Sequence, residues 1–397
     1  MLRKLSSRAT TRIKVLVAGY TPAIHDKIRD RFIEAHPKIN VEMEYVTYEA
    51  LHDKITAAMV AGGTAYDVFL VDCIWTPEFV KAGWLEEVTE HITPEMKKEI
   101  FPTALATTEY PAGSGRYYGW PWYMDVKYFF YNEKILSEAG ITAPPKTLDE
   151  LWSQALSIKE KGLVRYPIAW SWAQHECITC DYAIVTALFG GRFVDEAGKP
   201  IFNKGGAVDA LKWMVKSIDA GITDPASITF VEDDVQRAFA AGDIAFGLAW
   251  LYMIAEANRP EFLTGAGKIA PVPGSTILPE GASVDGSMFW GISSGSRHKD
   301  AALEFVKFWA GLDIQKDYAK WLFPMWKKLF DNPEIFAEEV HSIIPVVKYQ
   351  YAHMVARPRS PIYRAFSREL QSALHGALTK VRTPQEALND VVRRLTA

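Results

Sequence analysis

The stretch GRYYGWPWYMDVKYFFYN, residues 115–132, is dense in aromatic rings, is interrupted by Pro121, and carries few charges, Asp125 and Lys127 among them. It has neither the period of an amphipathic surface helix nor the alternation of a half-buried strand. Rings with a carboxylate close by suit a cleft for a polar, ring-shaped ligand, and they suit an aromatic core strand equally well. YFFY at 128–131 has the length and character of a strand leading away from the stretch.

Upstream, IKVLVA at 13–18 reads as a buried strand closed by Gly19, and Ile24, Ile28 and Phe32 then share one helical face until Pro37. A second strand is expected at 39–45, a helix through Leu51, Ile55 and Met59 follows, and DVFLV at 67–71 is the third strand. This alternation predicts an α/β domain with a mainly parallel sheet covered on both faces. Ligands of such sheets bind beyond the carboxyl ends of the strands, which is where Asp72 and Trp75 fall.

Downstream, Thr147 and Glu150 form a capping box at the head of a helix that closes at Gly162. PIAWSW at 167–172 reads as a short strand presenting Trp170 and Trp172, and a helix is expected from Asp181 to Leu188. An amphipathic helix covers 207–220, and a helix and turn after Glu232 lead into a strand at 244–250 that ends on Trp250. SMFWGIS at 287–293 returns to strand character. Two late helices close the chain, the second headed by Thr383-Pro384-Gln385-Glu386 with Pro at its first position.

At 397 residues the length suits two or three domains with sizeable cores. A formal charge of -4, with 48 acidic against 44 basic side chains, argues against nucleic acid as a partner. Thirteen Trp and seventeen Tyr raise the expectation of a stacking site. Residues 1–12 carry basic side chains without the apolar run of a signal peptide.

Glycine-rich nucleotide motifs and a nucleophile elbow are absent, so no cofactor is expected. His175, Cys177 and Cys180 have metal-like spacing but lack a fourth partner. Zinc is therefore disfavoured, leaving either a Cys177–Cys180 disulfide in an oxidising compartment or two inert thiols. Asp72, Asp125 and Asp285 lie beside aromatics and allow a paired-carboxylate glycosidase, which would need two such groups about 5–10 Å apart. The same residues in a binding protein accept hydrogen bonds from hydroxyls.

Four places resemble one family. DVFLVDCIWTPEFVKAGWL at 67–85 is similar to its strand, ligand-side loop and short helix, and YYGWPWYMDVKYFFYNEKILSEAG at 117–140 to its central aromatic block. FAAGDIAF at 239–246 matches a helix-to-strand turn followed by a Trp, here Trp250. Residues 286–296 and 360–395 match its late strand and closing helices. In their order these blocks resemble the extracellular solute-binding proteins of ABC importers, in the sugar-binding class that includes maltose- and trehalose-type receptors.

The resemblance implies a two-lobed periplasmic-binding-protein fold with a hinge and an interlobe ligand cleft. The N-terminal lobe would comprise residues 12–125 and 286–330, and the C-terminal lobe 126–285 and 331–397. Trp75, Trp122, Trp172, Trp250 and Trp290 become candidates for stacking on ligand, Asp72, Asp125 and Asp285 for accepting hydrogen bonds, and Arg357 for donating them. About half of these nine are expected to touch ligand. The implied ligand is a di- or oligosaccharide, with glycerol phosphate as an alternative if Arg357 and Lys127 face it. The implied partner is a membrane permease, the implied state a monomer. The implied location is periplasmic or extracellular, with a membrane anchor only if a leader outside this sequence carries a lipid.

Overall fold

The structure is a computed structural model that describes residues 10–250, 267–319, 324–335, 341 and 343–396; the expectation for the leader falls mostly on residues 1–9, outside them. The chain forms two compact units, with breaks after Met124, Gly286 and Phe336, so that each unit is built from two separate stretches. The strands in chain order are β1 (Thr11–Ala18), β2 (Ile39–Val46), β3 (Val68–Asp72), β4 (Trp120–Tyr123), β5 (Tyr128–Asn132), β6 (Ile168–Ala169), β7 (Phe246–Ala249), β8 (Gly267–Ala270), β9 (Ser283–Val284), β10 (Met288–Ile292) and β11 (Met354–Val355). Among the described residues no helix is long and apolar enough to cross a membrane.

The first unit is built on a sheet of order β2-β1-β3-β10-β4. β1 takes its interior position from Ile13, Val15, Leu16 and Val17, all fully buried. It pairs in parallel with β2 and β3, as the alternating pattern predicts. The sheet as a whole is mixed, because β10 returns from far along the chain and pairs antiparallel with both β3 and β4. Helix Pro22–Ala35 starts on its proline and buries His25, Ile28 and Phe32. Ile28 and Phe32 keep the expected face, but at its head His25 takes the interior position and Ile24 is only half-buried.

Where β4 meets β10, Gly119 lets two backbones approach. A Cβ at this position would lie 2.3 Å from the Phe289 ring and 2.6 Å from the Trp290 carbonyl oxygen. Gly119→Ala is therefore expected to lower stability by about 1–3 kcal/mol through overpacking, measurable as a reduced denaturation midpoint. An unchanged midpoint would show that β10 can shift at no cost.

The second unit carries a sheet of order β6-β7-β5-β8, in which β5 is antiparallel to both neighbours and β6 parallel to β7. Phe129, Phe130 and Tyr128 of β5 are buried, which settles the YFFY segment as a core strand. Helix Glu176–Leu188 is buried on nearly every face. It starts five residues before the expected Asp181, so the His-x-Cys-x-x-Cys segment forms its N-cap and first turns. Thr147 caps helix Leu148–Glu160 by accepting from Glu150 N at 3.1 Å, but Glu150 answers to Lys146 N at 2.6 Å instead of to Thr147. The box at Thr383 and Glu386 is reciprocal, as read from the sequence.

Candidate functional site

In an open α/β sheet, loop side chains converge beyond the carboxyl ends of the strands. In the first unit that edge carries Tyr20 just after β1, Tyr48 at the start of helix Tyr48–Val60, and Asp72 and Trp75 at and after the end of β3. The parallel register sets Ala18 opposite Val46, so β1 and β2 end level and release Tyr20 and Tyr48 side by side. The Tyr48 hydroxyl donates to Asp72 Oδ2 at 2.7 Å, and Ile74 N donates to Oδ1 at 3.2 Å. These bonds fix the carboxylate at the edge of the rings.

Tyr20, Tyr48 and Trp75 form a stacked series, with centroids 6.5 and 5.6 Å apart and planes inclined by 29° and 21°. His52 meets Trp75 edge-on at 5.1 Å, and its Nε2 lies 3.0 Å from Glu78 Oε2. Trp75 is only 5% exposed while Tyr20 is 44% exposed, so Tyr20 is the open end of the series and Trp75 its anchored end. The sequence reading singled out Asp72 and Trp75 and missed both tyrosines. Their signal was present: each is the second residue after a strand end.

Trp122 and Trp290, expected as stacking rings, are corrected to core residues. They lie on the neighbouring strands β4 and β10, turned toward helices Pro22–Ala35 and Lys299–Ala310. Trp309 sits 4.9 Å from Trp122 and 5.0 Å from Trp290, and His25 sits 5.4 Å from Trp309. Both are essentially buried, Trp290 completely. Burial among these rings lowers the His25 pKa to about 4, with Asp26 acting weakly in the opposite direction.

The second unit gathers Lys127, Asp181, Glu232 and Trp250. Lys127 follows the first break in the chain and is fully buried; its ammonium donates to Asp181 Oδ1 at 2.6 Å and Ser171 Oγ at 2.8 Å and lies 3.4 Å from Glu232 Oε1. Desolvation works against its charge, but the attraction of Asp181 and Glu232 outweighs it and raises the pKa. The half-buried Trp250 ring, at the end of β7, has the Lys127 ammonium 5.3 Å from its centroid and donates from Nε1 to Glu232 Oε1 at 3.0 Å. Gly286 makes room for it, since a Cβ there would fall 2.3 Å from the indole.

Asp125 and Asp285 lie at adjoining backbone positions: Val126 bridges Asp285, and Gly286 N donates to the Asp125 carbonyl at 2.9 Å. Burial, then the charges of these two aspartates, hold the Tyr351 phenol well above its ordinary pKa. Arg357, expected as a ligand donor, is turned inward. Its Nη1 donates to Glu176 Oε1 at 2.8 Å and its Nη2 to the Asp285 carbonyl at 2.9 Å, while Glu176 also accepts from Tyr363 and Ser367.

Trp172 is likewise corrected to a core ring. It is fully buried and lies parallel to Trp170 at 5.5 Å, and Trp170 in turn meets Trp213 edge-on. The disulfide considered for Cys177 and Cys180 is absent, both being free buried thiols. The two are i,i+3 neighbours on helix Glu176–Leu188 and both feel Lys127 and Glu232, but the Cys177 thiol turns back to the Ala173 carbonyl at 3.7 Å, while Cys180 is also under the influence of Arg357 and Glu176. Burial pushes both thiols up, which disfavours the thiolate needed for oxidation.

Of the nine expected ligand residues, the first unit therefore groups Asp72 with Trp75. The second holds Asp125, Asp285 and Trp250 near its chain breaks, and Trp122, Trp172, Trp290 and Arg357 are drawn into packing or ion pairing. Glu232 was not singled out in the sequence. Its position at the head of helix Glu232–Ala241 gave no hint that an indole 18 residues later would bond to it.

Residues 18–316 match the family described as bacterial extracellular solute-binding protein. A relative in Brucella abortus is 26% identical over 62% of this chain and 59% of its own length, so the match spans a little over half of that protein. The maltotriose-binding protein of Pyrococcus abyssi is 26% identical over 84% of this chain and 70% of the relative. Among solved structures, maltose-bound MalE3 of T. maritima superposes with a TM-score of 0.89 at 27% identity, covering 98% of this chain and 99% of that one.

Proposed function

We propose that this chain, which belongs to the bacterial extracellular solute-binding protein family, is the binding component of an ABC importer and that its solute is a neutral carbohydrate, a di- or oligosaccharide. It would act outside the cytoplasmic membrane and hand the solute to a membrane permease. The observation that carries the carbohydrate reading is the pairing of rings with carboxylates in both units while the buried cations are already neutralised. Tyr20, Tyr48 and Trp75 stand beside Asp72, and Trp250 beside Glu232, whereas Lys127 and Arg357 are engaged by Asp181, Glu232 and Glu176. Flat rings cover the apolar face of a sugar, and carboxylates accept from its hydroxyls. A phosphorylated solute would need a cation free to meet it, which weighs against the glycerol phosphate alternative.

The proposed mechanism is capture without turnover. Solute selects, among the conformations of the chain, the one in which it makes most contacts, and the permease reads that conformation. Asp72 and its neighbours then serve as hydrogen-bond acceptors and not as acid and base.

Intrinsic Trp fluorescence and thermal melting, read against neutral mono-, di- and oligosaccharides and against glycerol phosphates, test the reading. Saturation by a neutral sugar, a raised melting point, and recovery of that sugar intact are expected. Trp75→Ala should then weaken its binding about 10-fold, because the stacked series loses its anchored end. Silence toward every sugar would remove the carbohydrate assignment, and hydrolysis of the recovered sugar would turn the carboxylates into candidates for catalysis.

A further inference from the structure

We infer that Glu232 is the specificity-determining residue that makes this site reject phosphorylated solutes, an inference that rests on the carbohydrate reading. Lys127 and Asp181 are both completely buried, whereas the Glu232 side chain keeps 20% of its surface exposed. One ammonium is shared by two carboxylates, leaving one negative charge in excess, and Glu232 is the member of the trio that reaches solvent. Its Oε1 already accepts the Trp250 indole N–H at 3.0 Å, so the excess charge sits at the edge of a half-buried ring.

That ring is oriented from three directions. Glu232 holds its Nε1, the Lys127 ammonium sits at 5.3 Å from its centroid, and Gly286 leaves no side chain on its six-membered end. A solute stacking on Trp250 therefore lies beside the partly exposed Glu232 carboxylate that holds the indole edge. Hydroxyl groups find an acceptor there, while a phosphate ester meets like charge in a partly desolvated setting where repulsion is weakly screened. Lys127 offers no relief, because it is fully buried and already shared by Asp181, Ser171 and Glu232.

The test compares the wild type, E232Q and E232A against the panel of neutral sugars and against glucose 6-phosphate and sn-glycerol 3-phosphate, by titration calorimetry at fixed low salt. In E232Q the amide oxygen still accepts from the indole but the charge is gone. The expected result is a shift in the affinity ratio of phosphate ester to neutral sugar by at least about 10-fold toward the ester, reduced at high salt. E232A, which also releases the ring, should lose neutral-sugar affinity beyond E232Q. A role limited to holding the fold would weaken both ligand classes equally. An unchanged ratio in E232Q, no gain for either ester, or a wild type preferring esters would overturn the inference while leaving sugar capture standing. A wild type that binds no neutral sugar would overturn the carbohydrate reading itself, and this inference with it.

Discussion

The Lys127→Met variant is expected to lose about 3–5 kcal/mol of stability, read as a lower denaturation midpoint at neutral pH. Methionine preserves an unbranched apolar stem, so the loss isolates the ammonium. Its removal leaves Asp181 completely buried, with Ser171 N and Oγ as donors to Oδ2, both at 3.2 Å, in place of a charge-assisted bond of 2.6 Å. An ionised carboxylate stripped of its counter-charge must either take up a proton or bear its desolvation. Removing both partners differs in kind: in Lys127→Met with Asp181→Leu the fully buried pair is gone and only Glu232, which keeps 20% of its side chain exposed, remains charged, so much of the loss should be recovered. A single variant within about 1 kcal/mol of the wild type would show that Ser171 and solvent suffice for Asp181.

Lys127 also shows where reading the sequence stops. Strands β1, β2 and β3 were legible because runs such as IKVLVA bury every residue after the first two, and because strand and helix periods differ locally. Their carboxyl ends pointed to Asp72 and Trp75 for the same reason. Local pattern says nothing about β10, which enters the sheet antiparallel from more than two hundred residues downstream of β3. Aromatic type was equally silent about surroundings: Trp122 finds Trp309, and Lys127 finds partners at 181 and 232. A tryptophan left half-buried and one that fills a core carry the same letters, and only long-range packing separates Trp250 from Trp172.

The head of helix Pro22–Ala35 gives the remaining large effect, since an ionisable ring occupies the interior place expected of Ile24. His25 is buried against Tyr45, Trp122, Trp290 and Trp309, and its pKa in the folded protein is about 4, down from 6.5. The unfolded chain therefore binds a proton at this residue between those two values while the folded one does not. The resulting contribution to stability is fully present above pH 6.5, is lost as pH falls toward 4, and is constant below that. Its size is about 3 kcal/mol across the window. Other groups titrate there too, so the measurement is a difference: unfolding free energies of the wild type and His25→Leu from pH 7.5 to 4. The variant is expected to be the less acid-sensitive of the two, the gap changing by about 3 kcal/mol along the series. Parallel curves would mean that the ring accepts its proton in place, with a pKa near the ordinary value, and that the aromatic cluster opens to solvent more readily than its packing implies.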